Sequence, residues 1–472
     1  MESFPELEGE AWGAAVQRAL RSWRKSSPGR ESPLDFLCLV RQLVDQSGLT
    51  PHQATKRILS ECLEELESQD AQAAEVLHRR FVKGDTLAKV GFDTGLGEFA
   101  VSRVQAAAID QLAACIAARE RALRRTMARA LESDLPPPSY EQLFGLDEAQ
   151  NQLRSQILSP HEPWLIAITG IGGIGKTSLA DRVTRQTLAA CRFSRVFWLR
   201  MEPGGMGVAR GTPKFTSEKL LADLGERLGL GVAERLTPAA RESRIRSLLK
   251  ECPTLVVIDN LEESEDINEL LPKLRYLADP SKFILTTRSR PDGQTAVFSY
   301  TLGELSLADA VALVRYQARA LGQMSLAAAS AADIERIYTV TGGNPLALKL
   351  VVGLADRLSL TDVLDELARG QINKTDQMYH HIYERAWTAL SPDAQTLLQA
   401  MPLVSRSTGG DLAQLQAISE LPAEAALPAV DELVRRNLLE SRGTIWERRY
   451  GIHRLTETFL NTVITGWLGD AS

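Results

Sequence analysis

The chain has 472 residues, of which 44% are hydrophobic and 24% charged, and a formal net charge of -6. At roughly 100–200 residues per domain this is a globular chain of about three or four domains. The net acidity excludes a global attraction to nucleic acid or anionic membranes, so any DNA contact needs a local basic patch. The five cysteines, Cys38, Cys62, Cys115, Cys191 and Cys252, are scattered and never spaced as CxxC. That argues against a disulfide framework or a zinc site and for a reducing compartment. The N-terminus Met1-Glu2-Ser3-Phe4-Pro5-Glu6 is acidic and lacks an apolar signal segment. No apolar run approaches the roughly 20 residues of a membrane span. A cytoplasmic location without a membrane partner is expected.

Residues 1–134 read as helical, rich in Ala, Leu, Glu and Arg. Apolar residues recur at helical spacing from Leu34 to Leu66, with a break at Ser47-Gly48-Leu49-Thr50-Pro51, and a second helical block runs from about Ala71 to Leu131. Leu135-Pro136-Pro137-Pro138 cannot continue a helix, and 135–144 reads as a linker. Short apolar runs then predict buried parallel strands at Trp164–Thr169, Arg195–Leu199, Thr254–Asp259 and Lys282–Thr287, with helical stretches between them. Such alternation gives a parallel sheet covered by helices. From Ser306 to about Ala368 helical patterning returns. After about Thr375 come further helices, then two short strands, Asn437–Glu440 and Arg449–Ile452, that would form a β-wing.

Gly170-Ile171-Gly172-Gly173-Ile174-Gly175-Lys176-Thr177 fits GxxxxGK[ST] between a predicted strand and a predicted helix that opens with Ser178. Glycines let the backbone wrap a phosphate, and the helix N-terminus adds partial positive charge. Gly170, Gly172, Gly173, Gly175, Lys176, Thr177 and Ser178 are the expected phosphate-binding residues. Lys176 would reach the β- and γ-phosphates and Thr177 would give its hydroxyl to Mg²⁺. Asp259 ends an apolar strand and is expected to hold the same metal. Alone, an Asp at a strand end is commonly a turn-former or cap. Hydrolysis also needs a group to orient water. Asn260 cannot serve as a base, and Glu262 and Glu263 are equally well read as a solvated loop. Binding is therefore better supported than fast turnover, and slow nucleoside triphosphate hydrolysis is expected at most.

In order along the chain, the P-loop, Leu255–Asn260, Ile284-Leu285-Thr286-Thr287-Arg288, Gly342-Gly343-Asn344-Pro345-Leu346-Ala347 and Gly451-Ile452-His453-Arg454-Leu455 resemble the landmarks of the STAND signal-transducing ATPases of the NB-ARC type. The resemblance spans about two-thirds of the chain, from Gly145 onward. It implies a multidomain α/β plus α fold: a nucleotide-binding domain over 145–303, a helical domain over 304–373 and a winged-helix domain over 374–472, behind an N-terminal helical domain. It also implies an adenine nucleotide, ATP or ADP, with Mg²⁺. Lys176, Asp259 and Arg288 would act on the phosphates, Arg288 as the γ-phosphate sensor. Pro345 would pack near the adenine, and His453 would contact the β-phosphate of ADP and lock the domains. Read alone, Arg288 is a surface arginine near Arg290 and Lys282, and Pro345 is a helix-starting proline. The chain departs from the family pattern in three places. Arg454 stands where an Asp usually follows the His, Asn260 replaces a second acid, and Phe144-Gly145-Leu146 lacks the usual Gly-Arg.

Residues 77–112 are similar to a helix-turn-helix of the sigma-factor region-four kind. Leu77–Phe81 would end a helix, Leu87–Phe92 form a short second one, Asp93–Gly97 the turn, and Glu98 opens the helix after it. That last helix offers Arg103, Gln105 and Gln111 against Glu98 and Asp110, while Arg79, Arg80, Lys83 and Lys89 could reach a phosphate backbone. The implied function is an ADP/ATP-operated switch that opens on exchange and self-associates in the ATP state. It would signal through residues 71–114 to a protein partner. The alternative is a transcription regulator that binds DNA through the same residues.

Overall fold

The computed structural model describes residues 10–24, 32–201, 217–230, 237–261, 264–288, 291, 296–355, 359–362, 364, 375–404, 409–444 and 446–460. They fall into two compact units: Met1–Glu132 with Thr187–Arg192, and Ser133–Gln186 with Phe193–Ser472. Among the described residues, no helix is long and apolar enough to cross a membrane.

The first unit is built from α1 (Glu10–Arg21), α2 (Cys38–Ser47), α3 (Pro51–Gln69), α4 (Ala71–Leu77), α5 (Leu87–Thr94) and α6 (Glu98–Glu132). The break expected near Ser47 is real. Gly48 takes φ +63, and Thr50 opens α3 through a capping box with Gln53 and a proline in the first turn. The 35-residue α6 buries Val101, Ala108, Ile109, Leu112, Ala113 and Ile116 along one stripe. Further along, Glu120 is 1% exposed. Its carboxylate accepts from the backbone N–H groups of Cys38 (2.9 Å) and Leu39 (3.0 Å) and from Arg124 Nε (2.7 Å). It supplies the cap that Leu37 cannot give to α2.

Helices α5 and α6 meet at Gly95, which takes φ +71. Val76, Val90 and Val101 form a small core beneath that junction. Three of the basic residues nearby are engaged inside the unit. Arg79 pairs with Asp85 and Asp93, Arg80 donates to Gln105 and to the Asp85 carbonyl, and Lys89 pairs with Asp85 at 2.7 Å. What the junction exposes is aromatic: Phe92 is 89% and Phe99 87% exposed.

The second unit holds a five-stranded sheet of order β2-β3-β4-β1-β5, every pairing parallel. The strands are β1 (Leu165–Thr169), β2 (Arg195–Arg200), β3 (Thr254–Leu261), β4 (Lys282–Thr287) and β5 (Val297–Thr301). β5 has no apolar run because it is a half-exposed edge strand of mixed sequence, and it escapes hydropathy reading. α9 (Ser217–Arg227), α10 (Pro238–Glu251) and α11 (Ser264–Leu277) share one core with Phe197, Leu199, Val256, Ile258, Phe283 and Leu285. These sheet residues alternate with Val196, Val257 and Ile284, which are 0% exposed, so both faces are covered.

β3 does not stop at Asp259 as its apolar run suggests. It bulges: Asn260 takes φ +77, and the register with β4 shifts between Ile258 and Leu261. Beyond the sheet, α12 (Leu307–Ala320), α13 (Met324–Ala327), α14 (Ala331–Thr341) and α15 (Pro345–Leu354) form one core with the later helices. These include Pro392–Ala400, Leu412–Ser419 and Ala423–Arg435. An antiparallel hairpin follows, β6 (Glu440–Gly443) and β7 (Arg448–Gly451). Its first strand starts later than the expected Asn437, because Asn437 takes φ +57 and its amide donates to the Lys349 carbonyl at 2.8 Å.

Candidate functional site

The carboxyl ends of β1, β3 and β4 face a single cleft in the second unit, as expected for a parallel sheet. The turn after β1 is shaped by glycines. Gly170, Gly173 and Gly175 take φ +152, +71 and +105, and a Cβ on Gly170 would come within 2.8 Å of the Leu302 carbonyl. α8 (Lys176–Leu188) begins immediately after. Lys176 folds back so that Nζ donates to the carbonyls of Gly170 and Ile171, both at 2.9 Å. A glycine loop running into a helix N-terminus is an anion cradle, and Gly172, Gly173, Gly175, Lys176, Thr177 and Ser178 all line the cleft.

Asp259 is completely buried. Its Oδ1 accepts from Thr177 Oγ1 (2.8 Å) and Thr286 Oγ1 (2.6 Å). Its Oδ2 is buried and accepts no hydrogen bond. A buried carboxylate oxygen short of a donor, beside a threonine hydroxyl, suits a hard divalent cation such as Mg²⁺. Thr177 and Asp259 are the residues that would hold it. Asn260 is occupied elsewhere: its N–H donates to Thr286 Oγ1 at 2.7 Å and its amide to the Met201 carbonyl at 3.1 Å. Glu262, Glu263 and Arg290 lie outside the described residues.

The remaining expected site residues converge on the same cleft. Arg288 follows β4, and a Cβ on Gly172 would stand 3.4 Å from its Nη2. Pro345 opens α15, where its fixed φ and missing N–H suit the first helical position, and it also lines the cleft. His453 caps the helix Arg454–Phe459: Nδ1 accepts from the Leu455 N–H at 3.1 Å. The Leu455 N–H therefore orients the ring. With Nδ1 accepting, the neutral ring carries its proton on Nε2.

Four features of the cleft are not apparent in the sequence. Asn344 is 1% exposed, caps α15 through Oδ1, and donates from Nδ2 to the Gly172 carbonyl at 3.1 Å, tying α15 to the phosphate loop. Its position before a helix-starting proline is a cap signal, but the long-range bond has no sequence signature.

The Pro-rich stretch is a wall of the cleft, with Pro136, Pro137, Pro138, Tyr140, Phe144 and Leu146 among its lining residues. It is fastened to two helices. Tyr140 Oη donates to Asp181 Oδ2 (2.7 Å), and Asp181 also pairs with Arg185. Tyr316 Oη donates to Glu141 Oε2 (2.6 Å), and the Tyr316 ring tilts against Phe144 at 5.6 Å. Burial and then the Asp181 charge push the Tyr140 phenol well above the ordinary range. The bond to Glu141 lifts Tyr316 to about 12.

Lys349 stands one turn after Pro345 and lines the cleft. Burial lowers its ammonium pKa, and Glu440 opposes that shift. Arg200, at the end of β2, brings its Nε within 3.7 Å of Asp259 Oδ2.

Residues 146–301 match the family model described as the NB-ARC domain. The regulatory protein AfsR of Streptomyces coelicolor is 27% identical over 306 residues, covering 62% of this chain and 28% of that protein. A probable disease resistance protein of Arabidopsis thaliana is 22% identical over 365 residues, covering 70% of this chain and 37% of its own length. A STAND protein with a tetratricopeptide repeat sensor from Pyrococcus horikoshii aligns at 19% identity with a TM-score of 0.47, over 70% of this chain and 44% of that one. The chain thus spans less than half the length of each of these three proteins. The likeness to the NB-ARC family is thus carried by the nucleotide-binding region, residues 146–301.

Proposed function

We propose that the chain is an ADP/ATP-operated switch, in which exchange of the bound nucleotide rearranges the second unit, drives self-association and signals through the N-terminal helices. The observation that carries this reading is the convergence on one cleft of the phosphate loop, Arg288, Pro345 and His453, drawn from segments far apart in the chain. A ligand held by all of them at once would feel one phosphate more or less at several places. On this reading residues 145–303 grip the phosphates, 304–373 present Pro345, and 374–472 present His453. Residues 135–144 close the base end, and residues 1–134 form the effector. Lys176, Thr177, Asp259 and Arg288 act on the phosphates and Mg²⁺. With Asn260 in place of a second acid, hydrolysis is slow and serves to reset the switch. The working compartment is the cytoplasm.

The N-terminal junction favours a protein partner over DNA. Arg79, Arg80 and Lys89 are spent on Asp85, Asp93 and Gln105, and two phenylalanines stand exposed beside them. The test is to identify the nucleotide that co-purifies, then compare sedimentation in ADP and in ATP with Mg²⁺. Wild type should shift to larger particles in ATP, while Lys176→Ala and Asp259→Ala should not. Identical sedimentation of all three in both nucleotides would reject the switch.

A further inference from the structure

We infer that Arg200 is a tethered cation that occupies the charge of Asp259 in competition with Mg²⁺, and so sets how far nucleotide retention depends on metal. This rests on the reading that the cleft holds a nucleotide. Arg200 and Asp259 are direct register partners on the neighbouring strands β2 and β3. The strand ends are clamped together by the backbone: the Met201 N–H donates to the Asp259 carbonyl at 2.9 Å, and the Asn260 amide donates to the Met201 carbonyl at 3.1 Å. That clamp holds the Arg200 side chain over the carboxylate.

The two oxygens of Asp259 are used differently. Oδ1 is taken by the hydroxyls of Thr177 and Thr286. Oδ2 is buried without a hydrogen bond and has the Arg200 guanidinium at 3.7 Å. At that distance the contact is an ion pair and not a hydrogen bond. The oxygen is therefore neutralised and still short of a donor, which is the arrangement a competing cation can enter. The Asp259 side chain is 0% exposed and that of Arg200 25%, so their interaction is only weakly screened by solvent.

Two consequences follow. Arg200 offsets the Asp259 charge that would otherwise repel a diphosphate, so that state would tolerate loss of metal. A Mg²⁺ held by Thr177 and Asp259 would have to compete with the Arg200 charge, so metal accompanying a triphosphate would be opposed by Arg200.

The test uses the full chain and a fluorescent N-methylanthraniloyl ADP, titrated at free Mg²⁺ levels set with EDTA. Wild type should bind the probe in EDTA within about threefold of its affinity at saturating Mg²⁺. In Arg200→Gln that gap should widen to about tenfold or more, and half-saturation by Mg²⁺ should fall about tenfold. Arg200→Lys, which keeps the charge, should stay nearer wild type. If Arg200→Gln binds the probe with the same Mg²⁺ profile as wild type, the inference about Arg200 is overturned and nucleotide binding stands. If EDTA strips the probe from wild type, the inference is overturned without need of any variant. If wild type binds no probe at any Mg²⁺ level, the nucleotide reading falls and this inference with it.

Discussion

Asn344 makes two kinds of contact that substitution can separate. Its Oδ1 caps α15, accepting from the N–H groups of Leu346 (3.0 Å) and Ala347 (3.4 Å). Its Nδ2 reaches the phosphate loop at the Gly172 carbonyl. Asn344→Ala removes both. Losing a cap costs about 0.5–2 kcal/mol, and losing the buried bond about 1 kcal/mol more. The expected total is about 1.5–3 kcal/mol, read as a fall in Tm of roughly 2–4 °C in a unit of this size. Asn344→Ser keeps a capping oxygen but is too short to reach Gly172, so it should cost only about 1 kcal/mol. Both variants release the Gly172 carbonyl equally. If the bond positions the loop, both should weaken ADP binding by the same factor, about five- to tenfold. Calorimetric melting and equilibrium binding of fluorescent ADP give the two readouts. The reasoning fails if Asn344→Ser binds ADP like wild type, or if the affinity losses simply follow the stability losses.

Tyr140→Phe removes the bond to Asp181 but leaves the Asp181–Arg185 pair. It should cost about 1–2 kcal/mol and speed ADP release several-fold, measured by stopped-flow displacement. Unchanged release would mean the Pro-rich wall does not hold the nucleotide. Alkaline melting probes the same contact. Tyr140 and Tyr316 have pKa values raised above the ordinary phenol value of about 10, so below pH 10 their contribution is intact. As pH rises past 10 the unfolded chain loses those protons first, so stability should fall, and less steeply in Tyr140→Phe. In the N-terminal unit, Glu120→Ala leaves the start of α2 uncapped and should destabilise by about 3 kcal/mol or more, seen in chemical denaturation. Phe92→Ser and Phe99→Ser should each leave stability within about 0.5 kcal/mol, because both rings are solvent-exposed. A large loss of stability would mean that the rings pack in solution.

Sequence reading found what repeats a local rule. Four of the five strands announced themselves as apolar runs because they are buried on both faces. β5 was silent because an edge strand needs no such run. The phosphate loop was legible because its chemistry is contiguous: glycines, a lysine and a threonine within eight residues, between a strand and a helix. Arg200, Asn344 and Tyr140 were not legible, because each acts on a residue brought near only by folding. Arg200 meets Asp259 through strand pairing, Asn344 meets Gly172 across the cleft, and Tyr140 meets Asp181 on α8. The triple proline is legible as chain that cannot continue a helix, but its place in the cleft wall depends on the anchors at Tyr140 and Glu141, which fold-distant residues supply. Those anchors join the wall to α8, which follows the phosphate loop, and to α12, which packs in one core with the Asn344-capped α15. Asn344 then closes the circuit back to Gly172. The cleft is thus bounded by polar contacts and apolar packing from separate segments, and opening any one of them should loosen the grip on whatever it encloses.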